Sequence, residues 1–376
     1  MRWGIVLGVA TAALVAGGVL AWTTIRQDRE FQRLIAAGDA ALAQDQTFTA
    51  IEAFSGALAL KPDSMLAYLK RGDTYRRRGE LTAALRDLRA ASALEPTAPR
   101  PVELLGDVNA GMGRYERAIE DYRRFIGLDD RSPRVLYKLA HTYYRNAQVS
   151  KAIAPLREAL TIDGRLGEAH YLLGLCLRET GHAQDAVASL RRALDLEPGM
   201  TVAREELVVL YDILKRERES IEQLEALATL EPGRPERLIR VALAYARQGR
   251  TETAIATLGR AAERHPDDSA VYTALGRVWL ESAGSQKDRV AITKARQALE
   301  TAASRPSATS ETLALYGRAL FLSGNTEAAV RTLEQAIARV PVEPLAYRYL
   351  AEAAARTRDV TLSHNAGVLY VALTEP

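Results

Sequence analysis

Five histidines, one cysteine and a few paired carboxylates are the residues of this 376-residue chain with the greatest capacity for chemistry. His141, His170, His182, His265 and His364 are scattered along the chain, and none stands in the His-Glu-x-x-His spacing that sets two imidazoles on one helical face for zinc. Cys176 is the single thiol, which excludes an intramolecular disulfide and any zinc site needing two thiolates. Asp129-Asp130 and Asp267-Asp268 lie between helical stretches, where a short carboxylate caps a helix and does not serve as an acid–base pair. Gly111-Met112-Gly113 follows no strand pattern and reads as a helix-end turn, not as a dinucleotide fingerprint. The chain has no Gly-x-x-x-x-Gly-Lys phosphate loop and no Gly-x-Ser-x-Gly elbow. The expectation is therefore no enzyme, no metal, no cofactor and no small-molecule substrate. Cys176, beside Gly174, is expected to be an inert core thiol.

Recognition chemistry is better represented. Tyr137, His141 and Tyr144 are spaced i, i+4 and i+7, so on a helix they share one face. Tyr171 and Arg178 stand 34 residues after Tyr137 and Tyr144. Tyrosine and arginine are the side chains that most often anchor protein interfaces.

The displacement of 34 recurs throughout. Pro62 and Pro96 are 34 apart, as are Pro198, Pro232 and Pro266, with Pro341 following later. Small residues recur in phase at Gly72, Gly106, Ala140, Gly174, Ala242 and Gly276, and again at Ala84, Ala118, Ala152, Ala186 and Ala254. Large ones stand between them at Phe54, Leu88, Tyr122, Leu156, Leu190, Leu224 and Leu258. Small residues in register imply close helix crossings, and the large ones fill the gaps. Pro99, Pro133, Pro235 and Pro344 suit a first helical turn. Gly79, Gly113, Gly181, Gly249 and Gly324 suit a left-handed turn between two helices.

These residues resemble the tetratricopeptide repeat family, whose 34-residue unit is shown well by Leu173-Gly174, Leu177, Gly181, Ala186, Leu190, Ala193 and Pro198. The resemblance implies an all-α fold: a right-handed superhelical solenoid of about nine to ten helix-turn-helix repeats. The repeats tile as 31–64, 65–98, 99–132, 133–166, 167–200, 201–234, 235–268, 269–309 and 310–343, with a degenerate unit at 344–376, inside a solenoid spanning 27–376. The eighth tile carries about seven extra residues, placed near 282–288. Val208 and Ser220 replace small residues in the sixth, whose helices are expected to splay. The last unit, with His364 and Asn365, is expected to be a polar cap.

In such repeats the first helices line a groove for protein or peptide partners. Position nine of each unit reads Asp39, Asp73, Asp107, His141, Leu175, Val209, Leu243, Arg277, Arg318 and Glu352. This column suggests a groove graded from acidic through apolar to basic, with Tyr137, His141, Tyr144, Tyr171 and Arg178 as the strongest cluster. Its acidic start (Asp39, Asp73, Glu103, Asp107) would repel a C-terminal carboxylate, which excludes the chaperone-binding type of groove. A net charge of +3 is too small to argue for nucleic acid.

Residues 3–25 contain no charge, enough helix to cross a hydrocarbon core of roughly 30 Å. With Trp3 and Trp22 near its ends, the segment 1–26 reads as a transmembrane signal anchor. A cleaved signal peptide and a buried N-terminal helix are the alternatives. The architecture resembles bacterial proteins anchored in the inner membrane, with the repeats favoured on the periplasmic side over a cytoplasmic placement or release to the periplasm. The expected role is a non-catalytic scaffold in envelope assembly or secretion. The alternative is an accessory subunit of a membrane enzyme complex, a transferase or a cytochrome maturation system.

Overall fold

The computed structural model describes residues 2–284 and 288–374, with side chains described from Trp22 onward. Among the described residues there are twenty α-helices and no strand. They fall into two compact units, residues 1–197 and 198–376.

The first unit stacks five helix pairs: α1 Arg2–Ala43 with α2 Thr47–Leu60, α3 Met65–Arg77 with α4 Leu81–Leu94, α5 Pro99–Gly111 with α6 Tyr115–Leu128, α7 Pro133–Arg145 with α8 Val149–Ile162, and α9 Gly167–Glu179 with α10 Ala183–Leu196. The second stacks α11 Thr201–Ile213 with α12 Glu217–Leu230, α13 Pro235–Arg247 with α14 Thr251–Arg264, α15 Ser269–Ala283 with α16 Arg289–Ala303, α17 Ser310–Leu322 with α18 Thr326–Ile337, and α19 Pro344–Arg356 with α20 Val360–Thr374. Within each unit a helix packs on its partner and on the next pair. Neither helix of a pair can bury its apolar stripe alone, so stacking supplies the core.

The small-and-large alternation is the packing code. A methyl group added at Gly106 would lie 2.5 Å from the Tyr122 ring, and one at Gly174 2.6 Å from Leu190 Cγ. Only a bare backbone lets these helices approach so closely. Tyr122 and Leu190 are themselves buried, as are the matching Phe54, Leu88, Leu156, Leu224 and Leu258.

Proline occupies the first turn of α5, α7, α13 and α19, where its missing N–H would have no partner in any case. The five turn glycines are left-handed, with φ between 71° and 89°. Asp45, Ala147, Lys215 and Arg358 occupy the same register with φ of 55° to 65°, although they carry side chains. The turn is closed by the same local bond in each, such as Gln148 N–H to Tyr143 O, even where glycine is absent.

Two expectations change, those for the eighth repeat and for the last helix. The seven extra residues of the eighth repeat are distributed: α15, α16 and both connections after them are lengthened, so the surplus is not confined to 282–288. The sixth pair is bordered by cavities of about 160 and 390 Å³ beside Ser220 and Val208, while Ser220 Oγ donates to Asp212 at 2.8 Å. The last helix is not a polar cap. α20 buries only Ala366 and leaves Val368, Leu369, Val371 and Leu373 exposed alongside His364 and Asn365.

Among the described residues no helix is long and apolar enough to cross a membrane. The run at 3–25 assigned to a span lies mostly outside the described side chains.

Candidate functional site

On α7, Pro133 sets the first turn and places Tyr137, His141 and Tyr144 along one face. The rings of Tyr137 and His141 are 6.1 Å apart and tilted by 34°. Tyr144 donates its hydroxyl to Glu179 of α9 at 2.7 Å. Tyr137 of α7 is hydrogen-bonded to Glu168, which like Glu179 lies on α9. Burial first, and then that carboxylate, pushes the Tyr137 phenol up to about 12, while for Tyr144 the hydrogen bond to Glu179 is the main cause of a value of about 12. Both phenols therefore remain donors at neutral pH and clip α7 to α9. His141 is exposed; desolvation by its neighbours and the charge of Arg145 lower its pKa. Arg178 lies 3.7 Å from Glu179, so it joins the Tyr144 end of the face, and Tyr171 is half-buried on the same helix. Glu168 and Glu179 were not singled out by sequence reasoning. Their signal was the repeat itself, since Tyr144 and Glu179 are 35 residues apart.

The acidic column of the first unit is neutralised from the next helix. Lys70 Nζ lies 2.7 Å from Asp39, and Lys138 Nζ lies 2.7 Å from Asp107, which also accepts from Tyr122. Asp73 is held by Arg76 and Arg77 on its own helix. Glu103, 2% exposed, meets Arg100, Arg134 and Lys138. Burial would raise its pKa, but the hydrogen bonds and charges of Lys138 and Arg100 outweigh that and hold it below the usual carboxylate value. Lys70 and Lys138 were missed because they stand three positions before the column, where only the next helix brings them into reach. Leu175, the first apolar member of the column, is buried and presents nothing to a partner.

In the second unit the basic end of the column borders an open site. The first helices α15, α17 and α19 pack on one another and leave a pocket of about 660 Å³. Arg277, Leu280, Glu311, Leu315, Arg318 and Tyr349 line it. Arg277 pairs with Glu311, and Arg318 with Glu352. The Arg318 guanidinium also stacks 5.1 Å from the Tyr349 ring centre. Arg277 borders the neighbouring 390 Å³ cavity too, with Leu243, Arg240 and Arg247. The arrangement offers apolar walls and oriented guanidinium donors, suited to holding a short stretch of chain. Among the described residues no group of three His, Cys, Asp or Glu could hold a metal ion. Cys176 is fully buried, and burial pushes its thiol up to about 12.

Comparisons with known proteins fit this architecture. Tetratricopeptide repeat family models match residues 35–99, 235–278 and 315–363. A model of anaphase-promoting complex, cyclosome, subunit 3 matches residues 111–193. No curated protein matches the chain. Among solved structures, the C-terminal part of a TPR repeat-containing protein from Cytophaga hutchinsonii is 18% identical and covers 64% of this chain and 99% of its own, with a TM-score of 0.56. That likeness shows the fold. MamA is 26% identical over 43% of this chain and 94% of its own, with a TM-score of 0.42. YrrB, described as a TPR protein with an unusual peptide-binding site, is 21% identical over 49% and 94%, with a TM-score of 0.45.

Proposed function

We propose that this chain, a member of the tetratricopeptide repeat family, is a scaffold that holds a segment of another protein against the first-helix face of its second unit. The observation that carries the proposal is the 660 Å³ pocket, where three successive first helices set Arg277 and Arg318 among Leu280, Leu315 and Tyr349. Guanidiniums beside apolar walls fix a peptide in one direction, through backbone carbonyl or side-chain acceptors, while the walls take an apolar side chain. The Tyr137–His141–Tyr144 face with Tyr171 and Arg178 is a second candidate contact, in the first unit. The uncharged run at 3–25 supports tethering of the scaffold to a membrane.

A photo-crosslinking amino acid at position 280 of the full chain tests the reading. One dominant crosslinked protein, lost with Arg277→Ala/Arg318→Ala and kept with Tyr137→Ala/Tyr144→Ala, supports the second-unit pocket. Crosslinks that persist in the arginine variant refute it. Retention of the protein in the membrane fraction after alkaline extraction tests the tether; complete release refutes it.

A further inference from the structure

The charged column of the first unit's first-helix face is neutralised by ion pairs, whereas one row on its second helices is not. The register that holds Arg89 on α4 holds Arg123 on α6, Arg157 on α8 and Arg191 on α10. All four side chains are exposed. In the second unit the same register holds Glu225, Gly259 and Glu334, so helix-pair architecture does not demand arginine there. Among the described residues Arg123, Arg157 and Arg191 have no ion-pair partner, although Arg192 beside them has one in Asp195. A row of like charges repels itself, and an anion from outside relieves the repulsion.

A pocket of about 440 Å³ opens beside this row, lined by Arg123, Ile126, Tyr143, Lys151, Pro155 and Glu158. Its origin is local. At the register of Pro155, α4 has Asp87 and α6 has Asp121. Those carboxylates reach back to their own first helices, Asp87 to Arg71 at 2.6 and 2.9 Å and Asp121 to Asn109 at 2.7 Å. Pro155 has no polar group with which to do so. The gap is floored by Leu136 and Leu139, and the two cations at its mouth, Arg123 and Lys151, face a single carboxylate, Glu158.

We propose that the second-helix face of the first unit docks an acidic protein segment carrying one large apolar side chain. The carboxylates pair with the arginine row, and the apolar side chain enters the pocket beside Pro155. A phosphate polymer or an anionic lipid surface would match the row and leave the apolar pocket unused. The site is independent of the second-unit pocket, on the other helices of a different unit.

The test measures binding of a fluorescent glutamate-rich peptide with one central leucine to the full chain. Arg123→Glu/Arg157→Glu/Arg191→Glu is expected to weaken binding about 10- to 100-fold, from three exposed pairs made repulsive. Replacing the peptide leucine by serine is expected to weaken it about 10-fold. Arg331→Glu, an exposed arginine of the second unit, is expected to leave it unchanged. Absence of peptide binding overturns the proposal, as does binding indifferent to the triple reversal or to the leucine. Anionic phospholipid vesicles that bind in the same arginine-dependent way, while the peptide does not, assign the face to a lipid surface and likewise overturn it.

Discussion

Gly317→Ala provides a direct test of the packing code. Gly317 is in the interior of α17, and a methyl group there would lie 2.5 Å from Leu333 Cγ and 2.8 Å from its Cδ2. Ordinary carbon–carbon contact is about 3.5–4.0 Å, so the two helices must separate by roughly 1 Å or Leu333 must leave its rotamer. Leu333 is fully buried. Overpacking of this kind costs about 1–3 kcal/mol, and the better helix propensity of alanine returns about 1 kcal/mol. With a clash this short the cost belongs near the top of its range, giving a net loss of about 1–2 kcal/mol. Gly259→Ala is the internal reference. It lies in α14 of the same unit, and its added methyl would meet nothing within 4 Å. That variant should gain up to about 1 kcal/mol. Urea unfolding followed by far-ultraviolet circular dichroism reads both. If Gly317→Ala is stabilised as much as Gly259→Ala, the close crossing of α17 and α18 is refuted.

Glu103, whose pKa is lowered in the folded state, contributes stability at neutral pH that is lost as the pH falls from the ordinary carboxylate range through its depressed value. Glu103→Gln should lower the urea midpoint at neutral pH and reduce the difference between neutral and acidic midpoints; an unchanged pH profile would count against the Lys138–Arg100 cluster. Cys176, with its thiol at about 12 and no exposed surface, should react with a disulfide reagent at mildly alkaline pH only after denaturant is added, and rapid native labelling would contradict its burial. Ala147→Gly should stabilise the first unit by up to about 1 kcal/mol, because alanine is held at φ 55° there, and calorimetry showing a lower melting temperature would oppose that account.

Helix pairs, their phase and their crossing points were legible because proline, glycine and alanine repeat every 34 residues and each has a distinct steric meaning. Less legible were features that one helix imposes on another. Ala147, Lys215 and Arg358 are not residue types that favour a left-handed turn, yet each sits inside the same local closing bond as the turn glycines, such as Gln148 N–H to Tyr143 O. The charged column looked graded because Asp39 and Asp107 were read down one register, while their partners Lys70 and Lys138 occupy another. Arg277 and Arg318 were found at the same register, yet the pocket between them depends on Leu280, Leu315 and Tyr349, which do not differ in type from ordinary core residues. In α20 the polar pair His364 and Asn365 precedes a run of apolar residues whose exposure depends on packing and not on their type.

Packing each helix mainly on its neighbours in sequence also determines how the chain acquires its structure. Contacts form between segments close along the chain, so little loop entropy is lost before each is made. The same locality makes stability local: α20 buries one residue, Ala366, against eight in α17, so its amides should exchange with solvent before those of α17.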